Sequence, residues 1–177
     1  MGVFGDASVF AIVGFFVTII SCVFQIIGFS TPLWNYKETS SDIKSFNGLW
    51  ESCGSVLGTV TCVRFSCGSS TTAAGCTDQW KAAQAMEVMA AIALVAASVL
   101  VILKMCVMKD KSAIRFAAIG CCLAAGVFAI TGIIVYATET NVKSGNNSGS
   151  AFHFSFAITI IAAIGSFAAG GLLIAGK

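Results

Sequence analysis

Four apolar segments, residues 8–29, 82–103, 113–137 and 152–175, are each 22 to 25 residues long and almost free of Asp, Lys and Arg. At about 1.5 Å of rise per residue, about 20 residues cross a hydrocarbon core about 30 Å thick, so each segment predicts a transmembrane helix. Composition agrees: 57% of the 177 residues are apolar and 10% are charged, where a soluble domain carries about 25% charge. A net charge of +2 leaves no basic stripe for nucleic acid. The first segment is expected to be retained rather than cleaved, because it is longer than a typical signal core and no basic residue precedes it.

Charge sets the expected orientation. Lys104, Lys109 and Lys111 cluster in the link after the second segment, with Arg115 just inside the third and only Asp110 against them. The positive-inside rule places that link and both termini in the cytosol. Residues 30–81 and 138–151 then face outward from a single tetraspan domain with a cytosolic link at 104–112.

Cys53, Cys62, Cys67 and Cys76 all fall in the first outward loop, where an oxidising compartment favours disulfides. Equal gaps of eight residues separate Cys53 from Cys62 and Cys67 from Cys76, which makes sequential pairing the first choice of three connectivities that sequence leaves open. Zinc is not expected, since its structural sites use cysteine pairs roughly two to four residues apart. Cys22, Cys106, Cys121 and Cys122 lie in or beside helices and read as small buried apolar residues. Segments 48–53 and 59–65 carry Val, Thr, Phe and Trp between Gly and Ser, and predict strands of a small antiparallel sheet. Hairpins are marginal alone, and closing the Cys53 to Cys62 loop would contribute about 2–4 kcal/mol. Asn146 begins an N-glycosylation acceptor, Asn146-Asn147-Ser148, in the second outward loop.

Small residues recur every fourth position at Ala118, Cys122 and Gly126 and at Ala162, Ser166 and Gly170. Such rows let helix backbones approach closely in lipid, and packing within the bundle is the expected use. Gln25, Gln84 and Glu87 are polar positions within the spans, and Glu87 is expected to make an interfacial or inter-helix hydrogen bond rather than an ion pathway. The one histidine, His153, has no Cys or carboxylate near it and no phosphate-binding glycine loop occurs, so neither enzyme activity nor a cofactor is expected.

The order Trp34, then Gly48-Leu49-Trp50, then Cys53 and Cys62, between the first two of four helices, resembles the claudin superfamily. That group holds claudins, the peripheral and epithelial membrane proteins, a lens fibre membrane protein, and auxiliary subunits of calcium channels and glutamate receptors. Residues 81–86, Lys-Ala-Ala-Gln-Ala-Met, are similar to the family's entry into its second helix, and 152–173 to its fourth. The resemblance implies a membrane all-α fold: a left-handed bundle of four transmembrane helices under a small extracellular antiparallel sheet of about five strands. It also implies a Cys53–Cys62 disulfide, with Trp34 and Trp50 near the membrane surface at the foot of the sheet.

Three departures stand out. Gln84 occupies the position where many claudins carry Arg, no tail ends in a PDZ-binding residue, so no such scaffold is expected, and a second cysteine pair is present, as in the channel-auxiliary branch. The implied function is contact between cells at the plasma membrane, the chain assembling with itself into a paracellular barrier or path. Glu51, Arg64 and Asp78 would bias which ions pass, although Arg64 reads first as a solvated surface residue. The alternative is an auxiliary subunit docked on a larger channel or receptor.

Overall fold

The computed structural model describes residues 8–40, 43–65, 77–107, 112–144 and 150–176. Lys109, Asp110, Lys111, Cys67, Cys76 and Asn146, which carry expectations above, lie outside the described residues. Four helices, α1 (Val9–Ser30), α2 (Asp78–Cys106), α3 (Ser112–Ser144) and α4 (Phe154–Ala175), are each long and apolar enough to cross a membrane. Five short strands accompany them: β1 (Asn35–Ser40), β2 (Ile43–Asn47), β3 (Glu51–Val56), β4 (Thr59–Arg64) and β5 (Ser150–Phe152).

Helix ends differ from the apolar segments for local reasons. The Thr77 hydroxyl accepts from the Trp80 amide at 3.2 Å, so α2 starts at Asp78 rather than where hydropathy rises. Asp78 and Lys81 sit on that polar first turn as an exposed pair 3.7 Å apart, which contributes little. α3 continues past the apolar segment to Ser144. There the Glu139 carboxylate, almost fully buried, accepts from Thr77 at 2.8 Å and ties the two helices together.

In the bundle α1 packs on α2 and α4, and α3 packs on the same two helices. Its pattern is that of a protein dissolved in lipid. Phe16, Ile20, Ile92, Val99, Val127, Ile134 and Ile164 face outward, while Thr18, Ser21, Gln25, Glu87, Ser98, Thr159 and Ser166 are buried. Lipid accepts the outward apolar side chains, and the buried hydroxyls of Thr18, Ser98, Thr159 and Ser166 donate to carbonyls of their own helices. Ala118, Cys122, Gly126, Ala162, Ser166 and Gly170 are all buried between helices, as packing within the bundle requires. Among the four cysteines outside the loop, Cys22 and Cys122 are buried, but Cys106 is exposed and Cys121 half-buried. Cys106 is the last residue of α2, next to Met105, which is buried in the core.

α1 and α4 approach closely at Gly28. A Cβ there would collide with the Thr159 hydroxyl and lie 3.2 Å from the Ser155 carbonyl oxygen. Gly28→Val is expected to push these helices apart at a cost of about 1–3 kcal/mol, seen as a lower thermal midpoint in detergent.

The sheet runs β4-β3-β2-β1-β5, antiparallel at every step. β3 and β4 meet in a two-residue turn at Leu57 and Gly58, whose φ angles of 51° and 83° match the twist of a tight hairpin. β5 immediately precedes α4, so pairing with β1 fastens the sheet to both ends of the chain. The expected strand over 48–53 begins only at Glu51. The Gly48 amide donates to the Glu51 carbonyl at 2.9 Å, which closes Gly48, Leu49 and Trp50 into a turn instead.

Candidate functional site

α1 ends in Ile-Gly-Phe-Ser, and the carbonyls of this last turn have no backbone amide further along the helix to bond. Side chains from two directions supply the donors. Thr31 donates to the Ile27 carbonyl at 2.8 Å, the Trp34 indole to Gly28 at 2.8 Å, and the Trp50 indole to Phe29 at 2.8 Å. The two tryptophans marked by the sequence therefore donate to the last carbonyls of the first helix, whose C-cap residue is Thr31, one from just beyond the helix and one from the turn between β2 and β3.

That turn is held from below by the other helices. Leu49 is fully buried with Trp34, Ala83 and Tyr136. Its carbonyl accepts from the Trp80 indole at 3.0 Å and from the Gln84 amide at 2.6 Å, both on α2 and one turn apart. From α3, the Tyr136 ring lies 4.8 Å from Trp34 and 5.1 Å from Trp80. From α4, Phe156 lies 5.8 Å from Trp34, and Ser155 meets Thr31 hydroxyl to hydroxyl at 2.6 Å. α2, α3 and α4 thus converge on the cluster of Trp34 and Leu49, and the end of α1 meets it through the Gly28 and Phe29 carbonyls. Gly48 makes this possible because its α-carbon presses on the chain at Thr31 and Pro32, and a Cβ there would collide with the Pro32 backbone.

Above the cradle, Cys53 and Cys62 are direct partners across β3 and β4 and are disulfide-linked. Glu51 and Arg64 occupy facing register positions at the other end of the same strand pair. Asp78 does not join them as an ion pair; it stands at the start of α2 beside Lys81. His153 precedes α4 with its ring 5.8 Å from Tyr36 and makes no side-chain cap bond. Partial burial of the Tyr36 ring, then its hydrogen bond to Glu38 and that residue's charge, push the phenol's ionisation above its ordinary value. Tyr36 is accordingly a neutral donor at physiological pH.

Sequence reasoning singled out Trp34, Gly48, Leu49 and Trp50, and the structure brings all four together. It missed Trp80 and Tyr136 as members of the cradle, and it read Gln84 as a polar position within a span and a departure from an expected Arg, without its partner. Trp80 and Gln84 stand four apart on one helix face, a spacing that predicts a shared target without naming it. Among the described residues no group of three or more His, Cys, Asp or Glu side chains gathers. In chemical terms the arrangement is an anchored sheet: apolar and hydrogen-bonded at its base, with β4 exposed along its whole length at the edge.

The model of the PMP-22/EMP/MP20/Claudin family matches residues 4–173. A comparison with curated proteins yields no match.

Proposed function

Because the chain belongs to the PMP-22/EMP/MP20/Claudin family, we propose that it is a multi-pass protein of the plasma membrane that acts at contacts between cells. In this reading both termini are cytosolic, the sheet faces outward, and the chain assembles with itself into a paracellular barrier or path without enzymatic chemistry. The observation that carries it is the β3–β4 hairpin. Val56, Leu57, Val60 and Val63 are all at least half exposed there, and Leu57 reaches 80%. Leu57 is also in the left-handed region, which costs a non-glycine residue about 1 kcal/mol. An apolar, strained hairpin at the edge of the sheet supports a contact role, since exposed apolar patches on folded proteins mark interaction sites.

Expression in cells that form no junctions of their own tests this. The tagged chain is expected to concentrate at cell–cell borders, and in a monolayer to change ionic resistance. Arg64→Glu reverses a charge on the exposed strand and is expected to shift permeability towards cations in dilution-potential measurements, since fixed charge selects by sign. Uniform surface distribution with no change in resistance would overturn the proposal. Copurification at fixed stoichiometry with a larger channel or receptor would replace it with the auxiliary-subunit role.

A further inference from the structure

Gln25 on α1 and Glu87 on α2 are both fully buried, and the Gln25 amide donates to Glu87 Oε2 at 2.6 Å. This bond leaves two buried oxygens over. Glu87 Oε1 and Gln25 Oε1 have no hydrogen-bond partner. Glu87 Oε1 lies against α3 at Gly132, where an added Cβ would come within 2.6 Å of it. The side chain is thus wedged between three helices.

Among the described residues Glu87 has no ion pair. The titratable neighbours on the surrounding helices are Cys22, one turn from Gln25 on α1, and Tyr136, one turn from Gly132 on α3; α4 carries none. Neither can supply a positive charge. An unpaired carboxylate shut in a membrane bundle is strongly disfavoured, and the two orphan acceptors add to that cost. One proton removes all three penalties: the neutral acid bears no charge, gains a donor, and can hydrogen-bond the amide oxygen of the same pair while the amide N–H keeps its acceptor.

The pair also has a particular address. Gln25 lies about one turn before Gly28 and Phe29, whose carbonyls take the two indoles, and Glu87 lies about one turn after Gln84, whose amide holds the Leu49 carbonyl. It spans the two helices just beneath their anchor points.

We propose that Glu87 is held as the neutral acid and that the Gln25–Glu87 acid–amide pair is a positioning element, setting the spacing of α1 and α2 under the tryptophan cradle. The test uses the full chain in lipid nanodiscs at neutral pH. Infrared difference spectra of wild type against Glu87→Gln are expected to show one protonated-carboxyl stretch, lost in the variant and downshifted in heavy water. A carboxylate band in its place would overturn the proposal. Gln25→Leu keeps the carboxyl and removes its partner, so the stretch is expected to move to higher frequency; an unmoved band also overturns it. The chain's three tryptophans are Trp34, Trp50 and Trp80, all in the cradle, so emission reports the positioning directly. Emission is expected to be unchanged in Glu87→Gln and shifted in Glu87→Leu, and equal emission from the two variants would remove the positioning role.

Discussion

Trp34→Ala is expected to detach the sheet from the bundle while leaving the helices formed. Trp34 is fully buried, with its ring against Tyr136 and Phe156 and its indole on the Gly28 carbonyl at 2.8 Å. Truncating a buried tryptophan costs about 3–5 kcal/mol, and loss of its hydrogen bond, which leaves the Gly28 carbonyl only the Thr31 hydroxyl at 3.5 Å, adds about 1 kcal/mol. That sum reaches the low end of the whole stability of an ordinary domain, roughly 5–15 kcal/mol. The helices survive because their backbone bonds are internal and lipid offers no competing partners. In detergent, the near-ultraviolet dichroism of the aromatic cluster should vanish with far-ultraviolet helix signal nearly intact. Trp34→Phe keeps most of the ring packing and loses the hydrogen bond, so it should fall between alanine and wild type. A Trp34→Ala protein with wild-type aromatic dichroism would refute the cradle as the main attachment.

Gly48→Val is expected to be nearly as damaging, for a different reason. Its Cβ would collide with the Pro32 backbone, and would lie 2.9 Å from the Thr31 carbonyl oxygen. Backbone atoms cannot rotate away as a side-chain tip can, so either the turn or the end of α1 must move. Movement of the turn withdraws the Trp50 indole from Phe29 and the Leu49 carbonyl from Trp80 and Gln84 together. Three hydrogen bonds at about 1 kcal/mol each, added to roughly 1–3 kcal/mol of overpacking, make a loss near 4 kcal/mol or more. The matched control is Gly54→Ala in β3, where a Cβ meets nothing within 4 Å. There the expected change is within about 0.5 kcal/mol. Thermal unfolding of the two variants side by side separates a close-packed glycine from a free one, and comparable losses would show that the Gly48 contact is not what matters.

These two residues also show how far one chain could be read without its fold. Trp34 and the Gly-Leu-Trp turn were recognisable as a pattern, and the pattern led to the right family. Their physical task was not legible. A tryptophan beside a membrane span reads as an interfacial anchor, and only the geometry turns Trp34 and Trp50 into donors for α1's last carbonyls. Residues 48–50 looked like strand because their composition is strand-like, whereas the Gly48 to Glu51 hydrogen bond and the backbone contact at Pro32 impose a turn. Glu87 was expected to find an inter-helix hydrogen bond, yet nothing within its own segment pointed to Gln25, 62 positions earlier.

The sequence by itself determined the four spans, the strand-rich segment between the first two, and the four cysteines placed there to brace it. Those are consequences of local quantities: apolar length against bilayer thickness, side-chain shape, and where oxidising chemistry operates. Tertiary structure alone decided which helix end each indole caps, which carbonyl Trp80 and Gln84 share, where glycine is obligatory, and which partner the buried Glu87 takes. The physical reason is that buried polar groups must be satisfied and helix backbones must clear one another. Both conditions are met only between segments far apart in the chain, once the bundle and sheet have closed on each other.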